Sequence, residues 1–305
     1  MQVAQLTAAQ PRTSVETLAY LGLLGTTLCW ASAFIAGKVV LRETTPLTAA
    51  SLRYAIAALA LLPFAWRSRP PLAAVRRVWP AFLVMALGSG VLYPWLFFEA
   101  LARTEAANCS LLIALNPLFT VLLSPLIGEK RHRRWGGILL AMFGAALVIT
   151  RGETANIVRF AQLSFATGDL LALGAAAVWA GVNLASRPVA TALPSSFINF
   201  LVFAFGAACL MGLTADEQPL AQLTKLSGAG LSALMVMAVL ASVLSGQLFL
   251  FGVRTVGVNR TVVFIYLVPV LTALLSLPIL GEAIGAAQVA GGAAVLAGVW
   301  WTTRR

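Results

Sequence analysis

Residues 25–38 read GTTLCWASAFIAGK and residues 174–187 read GAAAVWAGVNLASR. In each stretch a glycine is followed by Trp-Ala and then by a base: Gly25, Trp30, Ala31 and Lys38 in the first, Gly174, Trp179, Ala180 and Arg187 in the second. The correspondence continues outward. Pro46 and Pro194 each open the next apolar stretch, and Arg103-Thr104-x3-Asn108 matches Arg254-Thr255-x3-Asn259. Pro117-x2-Thr120-x3-Ser124, ending in Gly128-Glu129, matches Pro269-x2-Thr272-x3-Ser276, ending in Gly281-Glu282. The offset drifts from 148 to 153, and five matches in the same order along nearly the whole chain identify an internal repeat.

Composition sets the surroundings of that repeat. The 305 residues are 60% hydrophobic and 10% charged, with mean hydropathy +0.91, whereas a soluble domain carries about 25% charged residues. Lipid must cover most of the outside. Windows of ~20 apolar residues, the length that crosses a bilayer, fall at 18–38, 46–66, 79–99, 105–127, 134–150, 168–187, 194–213, 228–251, 260–280 and 283–302. Each half holds five windows, an odd number, so the second half enters the membrane upside down relative to the first. The predicted fold class is an all-α integral membrane protein, ten transmembrane helices forming two inverted five-helix repeats around a central cavity. The expected divisions are an N-terminal tail at 1–17, a first repeat at 18–150, a connecting loop at 151–167, a second repeat at 168–302 and a C-terminus at 303–305.

Of 21 Lys and Arg, fourteen fall in the two tails and the even-numbered loops, six in the odd-numbered loops, and Arg53 lies inside the second span. The positive-inside rule then places both termini in the cytoplasm of a plasma membrane, the inner membrane in a bacterium. The same distribution removes nucleic acid as the reading of the net charge of +11, because the bases sit in short breaks between apolar segments. Ala31-Ser32-Ala33 resembles a signal-peptidase site, but it lies inside the repeated motif and after a tail with one Arg and an acid. Cys29, Cys109 and Cys209 each sit in an apolar stretch without metal-ligand spacing and read as small buried side chains. No cofactor or metal is expected.

An inverted pair of repeats offers two nearly equivalent packings, one open to each face, with a solute near the midplane. That is the architecture of alternating access, and a scaffold or receptor has no need of it. An intramembrane enzyme would need a nucleophile and base or a metal cluster at depth. The only histidine, His132, lies in a basic loop, and Gly88-Ser89-Gly90 follows no strand. An oligomeric channel suits an inverted repeat poorly. Direct drive by ATP would require a phosphate-binding loop, and no G-x4-G-K-[ST] is present.

The repeated Trp-Ala elements and the Pro…Gly-Glu endings resemble the drug/metabolite transporter superfamily in its form with two EamA-type five-helix domains, over residues 18–302. The resemblance implies spans 1–4 and 6–9 around a cavity, with spans 5 and 10 outside. It implies export of amino acids or other small metabolites, with drugs and sugars as alternatives. The aromatic content is similar to that of the YddG-like aromatic amino-acid exporters.

Candidate site residues follow from polarity and aromaticity at depth. Ser32, Asn116, Asn183 and Gln247 are polar groups near the midplane, where facing the bundle or a wet cavity limits their cost. Ser89, Ser242 and Ser245 belong to the same set, though hydrogen bonding between helices is the readier reading for serine. Pro117 lacks an N–H and should free a carbonyl one turn before it, beside Asn116. Trp30, Trp179, Tyr93, Trp95, Phe98, Phe264 and Tyr266 lie too deep for the interfacial anchoring that suits Trp66, Trp79, Trp135, Trp300 and Trp301. Tyr93-Pro94-Trp95 beside Gly88-Ser89-Gly90 predicts a bent third span presenting ring faces. Lys38 and Arg187 should snorkel at opposite mouths, Glu129 and Glu282 should cap span ends, and Arg53 is within reach of Glu99. No Asp, Glu, Lys, Arg or His occupies the middle third of spans 1, 3, 4, 6, 8 or 9, which favours facilitated diffusion or exchange of a neutral or zwitterionic solute. Gly291, Gly292 and Gly298 on the tenth span allow close packing, on its own chain or on a second copy, so monomer and homodimer both stay open. The expected partners are a small solute and the bilayer.

Overall fold

The computed structural model describes residues 14–123, 125, 135–150, 166–256, 261 and 264–303, and every regular element among them is helical. In chain order these are α1 (Ser14–Val40), α2 (Pro46–Arg67), α3 (Leu72–Arg103), α4 (Ala106–Ile113), α5 (Asn116–Leu123), α6 (Trp135–Thr150), α7 (Thr167–Ala192), α8 (Ser195–Leu213), α9 (Pro219–Lys225), α10 (Gly228–Val256), α11 (Leu267–Leu280) and α12 (Ala286–Thr303). Six of them, α1, α2, α3, α7, α8 and α10, are long and apolar enough to cross a membrane. The other four expected spans hold shorter apolar helices, Ala106–Thr120, Trp135–Val148, Leu267–Leu280 and Ala286–Gly298.

Local chemistry sets the boundaries. Thr45 caps α2, its Oγ1 accepting from the Thr48 N–H, and Pro46 occupies the first turn, where a missing N–H costs nothing. Ser227 caps α10 by accepting from the Gly230 N–H at 3.1 Å. Gly281 ends α11 at φ 71°, the left-handed conformation that favours glycine.

The third membrane-length helix of each half is wound more loosely at mid-length. α3 carries a π-helical segment at Gly88–Leu92, where the Gly88-Ser89-Gly90 sequence predicts a bend, and α10 carries one at Val236–Leu244. A π-turn would aim the Ser89 carbonyl at the N–H of residue 94, but Pro94 has none. The Tyr54 hydroxyl donates to that carbonyl instead, at 2.8 Å.

Packing crosses between the halves in matching pairs. α1 packs along α10 and α11, while α7 packs along α3, α4 and α5. A single buried cluster draws on both halves, from Phe34, Leu52 and Phe98 to Leu234, Met237 and Val268. α6 and α12 pack on each other to one side, backbone against backbone. A Cβ on Gly144 would lie 2.5 Å from the Gly291 carbonyl oxygen, and one on Gly298 would lie 2.5 Å from the Ala141 nitrogen. The small-residue face of the tenth span is thus filled by α6 of the same chain. Leu18, Leu21, Leu59, Phe143, Leu213 and Leu274 are exposed on the outside, a surface suited to lipid. Trp66, Trp79, Trp135, Trp300 and Trp301 are all exposed, as interfacial anchors should be.

Hydrogen bonds gather the chain turns at two ends. Glu217 accepts from the hydroxyls of Thr45 and Thr48, the latter at 2.6 Å, and Glu43 accepts from Ser227 N and Oγ at 2.7 and 2.6 Å. Thr104 donates to Asp169 at 2.7 Å, and Glu282 accepts from the Ala106 N–H through both oxygens. The first set joins the turn after α1 to the turn after α8 and the start of α10, and the second joins the turn after α3 to the start of α7 and the turn after α11. At the opposite end Ser68 meets Ser196 at 2.7 Å, and Arg254 donates to Ser195 at 2.7 Å.

Candidate functional site

A cavity of about 100 Å³ lies between the halves. α1 contributes Trp30, Ala33 and Phe34; α2 contributes Arg53; α3 contributes Tyr93 and Phe97; α7 contributes Trp179. The fourth span lines it with Ser110, Ile113, Ala114 and Asn116, and the corresponding stretch of the second half with Ile265, Val268 and Pro269. Ile113 and Pro117 stand in the repeat where Ile265 and Pro269 stand, so the wall is built from equivalent turns of two equivalent segments. Helix is interrupted in both, at Ala114–Leu115 and at Tyr266. Such interruptions at membrane depth are tolerated where they line a cavity.

The carbonyl freed by Pro117 is that of Ile113, and it is not left bare as expected. The Asn116 side chain turns back and donates to it at 3.1 Å. The Asn116 oxygen in turn accepts from Asn183 Nδ2 at 3.3 Å, joining the fourth span to α7. Asn116 is buried and Asn183 exposed, so this contact runs from the cavity wall outward.

Two tryptophans frame the space through contacts that mirror each other. Trp30 on α1 reaches α10, donating from Nε1 to Ser245 Oγ at 2.9 Å, with its ring 5.3 Å from that of Phe249 and tilted 42° to it. Trp179 on α7 reaches α3, its ring 4.7 Å from that of Tyr93. Each pairs the first helix of one half with the third helix of the other. Phe97 continues the aromatic wall, 5.1 Å from Phe34 and 6.0 Å from Tyr93.

Of the ten candidates, Trp30, Tyr93, Asn116 and Trp179 line the cavity, and Asn183 touches it through Asn116. Phe98 is fully buried in the core behind Phe97, and Tyr266 is buried in the same cluster. Ser32 bonds to the Cys29 carbonyl of its own helix, and Trp95 is exposed on the far side of α3 from the wall. Gln247 has a buried Nε2 with no partner among the described residues. Ser242 and Ser245 each accept a hydrogen bond from the opposite half. The suggested Arg53–Glu99 contact does not form: Glu99 pairs with Arg103 one turn along α3. Glu282 caps not its own helix but α4, 176 residues earlier. Lys38 lines a separate polar cleft of about 310 Å³ with Arg42 and Glu282. Glu129, His132 and the basic loop at 130–134 lie outside the described residues, as does the Arg187 side chain.

Arg53, Phe34 and Phe97 are wall residues that sequence reasoning passed over. Arg53 carried a usable signal, a lone charge seven residues into α2 and therefore about 10 Å from its start. Among the described residues it forms no ion pair. Nε donates to Ser242 Oγ at 2.9 Å, and the guanidinium lies 5.7 Å from the Tyr54 ring centre and 5.9 Å from that of Phe97.

Comparison with known proteins accounts for both halves. An uncharacterized transporter of Archaeoglobus fulgidus is 27% identical over 281 residues, covering 92% of this chain and 95% of the relative. The uncharacterized transporter YyaM of Bacillus subtilis is 28% identical over 285 residues, 92% of each chain. A crystal structure with TM-score 0.63 and 20% identity covers 95% of this chain and 96% of its own, a likeness of fold. The EamA-like transporter family matches twice, at residues 17–150 and 166–304. The two matches meet the two halves of the repeat, and this chain, a multi-pass membrane protein, belongs to the EamA-like transporter family.

Proposed function

We propose that this transporter exports amino acids, aromatic or otherwise neutral, or similar small metabolites by alternating access. The observation that carries this reading is the cavity itself, walled by residues of both halves and rich in ring faces, with polar groups at Arg53, Ser110 and Asn116. Trp30, Tyr93, Phe97 and Trp179 offer faces on which a planar side chain stacks. At about 100 Å³ the space is smaller than the roughly 150 Å³ that holds a benzene ring. An aromatic solute therefore needs the wall to widen, and the Tyr93–Trp179 ring contact between α3 and α7 is one place that would have to give.

The two clusters of turns support a bundle of ten crossings with the halves inverted. Every turn after α1, α3, α8 and α11 meets at one end, as successive crossings require. We place that end outside the cell and both termini in the cytoplasm, with the repeats at 18–150 and 168–302. Cysteine introduced at Gln218 should react with an impermeant thiol reagent in intact cells, and cysteine at Arg76 should not.

Counterflow in proteoliposomes with radiolabelled solutes tests the function. Neutral and aromatic amino acids should exchange across the membrane. Exchange of sugars or drug-like cations, with amino acids inert, would sink the proposal.

A further inference from the structure

Arg53 is 8% exposed, and no carboxylate meets it among the described residues. A guanidinium stays charged at any physiological pH and carries five N–H donors. The structure occupies one of them, Nε, with the neutral hydroxyl of Ser242. The rings of Tyr54 and Phe97 flank the cation but accept no conventional hydrogen bond. A buried charge so sparsely partnered is costly unless an anion completes it. Arg53 lines a cavity of about 100 Å³ and is the only charged residue in that wall among the described residues.

We propose that Arg53 is the anchor for a carboxylate of the transported solute, held through the guanidinium nitrogens left over by Ser242. The inference rests on the reading of the cavity as the solute site and narrows it: a free carboxylate is required, and a free amine is not. Nε is held by Ser242 on α10, so the donors left over are the two terminal nitrogens of a residue that lines the cavity. Two parallel N–H donors at one edge match the two oxygens of a carboxylate. The aromatic wall then takes the side chain. No acid lines the cavity among the described residues, so an ammonium group meets only ring faces and neutral polar groups there, while a carboxylate meets the full charge of Arg53. Ser242 is a positioning residue, since it orients the guanidinium from the other half without lining the cavity.

The test separates this inference from the functional reading beneath it. Wild-type protein in proteoliposomes performs counterflow of radiolabelled phenylalanine, competed by phenylalaninamide, phenethylamine and 3-phenylpropionate. Binding of the same compounds is read in detergent as a shift in Tm. Phenylalanine and 3-phenylpropionate should both compete, and the amide and the amine should be at least tenfold weaker. Arg53→Gln should abolish the preference for acid over amide, and Arg53→Lys should keep part of it. The wild-type competition series stands even where Arg53→Gln folds poorly. Equal competition by acid and amide, with phenylalanine transported, overturns the carboxylate anchor and leaves amino-acid transport intact. No amino-acid counterflow, with 3-phenylpropionate raising the Tm of wild type but not of Arg53→Gln, overturns the amino-acid reading and leaves the anchor. No carboxylate binding by either readout overturns the anchor.

Discussion

Arg53 and Tyr54 are consecutive on α2, yet their side chains end on different π-helical segments. Arg53 donates to Ser242 in α10, in the opposite half, and Tyr54 donates to the Ser89 carbonyl in α3, in its own half. One turn of α2 thus holds the loosely wound middle of both third helices. Because each π segment departs from the usual ladder, each is a natural place for its helix to change course.

Removal of the Tyr54 hydroxyl tests the first of these ties. Tyr54→Phe leaves the Ser89 carbonyl buried with no donor, since Pro94 cannot supply one. A loss of about 1–3 kcal/mol of stability is expected, with faster amide hydrogen exchange across residues 88–92. Unchanged exchange in that segment would show that the hydroxyl is dispensable to it.

The two cavity tryptophans should respond to ring size and ring identity differently. Trp30→Phe and Trp179→Phe keep most of the bulk, and a lost ring contact worth about 0.5–1.5 kcal/mol should raise KM several-fold for aromatic solutes and less for aliphatic ones. Trp→Ala at either place should also cost about 3–5 kcal/mol in packing, seen as lower folded yield. Phe variants with wild-type kinetics for every solute would take both residues out of the site.

Much of this arrangement is legible in the sequence, and the remainder fails for identifiable reasons. The Trp30 and Trp179 correspondence needs only spacing, and it gives both the repeat and two wall residues. Asn116 stands out because a polar residue before Pro117 is rare in an apolar run. Hydropathy gives a residue's depth but not its direction around the helix, which is why Trp95 and Phe98 read like Tyr93 and yet point elsewhere. Glu282 illustrates a second limit. Its partner, the Ala106 N–H, lies 176 residues away and has no side chain to signal it. Arg53 stands out in the sequence as a lone charge, which points to an acid as its counterpart, whereas the structure supplies the hydroxyl of Ser242.

Outside the cavity, the contact of α6 with α12 should behave as frame. Gly291→Val places methyl groups where the Gly144 carbonyl and the Leu147 side chain already sit. Overpacking of this kind costs about 1–3 kcal/mol or more. Detergent-solubilised Tm should fall while KM, measured per folded molecule, stays at the wild-type value. A changed KM with unchanged Tm would mean that α12 communicates with the site.

The hydrogen bonds from Ser227 hold the Glu43 carboxyl below the ordinary glutamate range. A pKa depressed in the folded state means that the contact contributes fully above the unfolded value, about 4.3, and fades as pH falls through the folded value. The Tm of wild type should therefore drop more than that of Glu43→Gln as the medium is acidified from about pH 6 to about pH 3. The side chain is exposed, so the difference should be small. Parallel curves would show that the Glu43–Ser227 contact has no energetic weight.

The ring of bonds around Glu43 and Glu217 sits at the surface, whereas the bond from Arg53 to Ser242 is sealed inside. When the surface ring parts, water replaces each lost partner, so the barrier there reflects apolar faces pulling away and the rupture itself is nearly free. When the inner bond parts, no acid among the described residues stands by to replace it. The two locks consequently differ in what can turn them: rehydration releases the outer one at any time, whereas the inner one opens at lower cost only while a ligand already holds the guanidinium donors that Ser242 leaves over. An idle carrier should flicker at its rim while its centre stays shut.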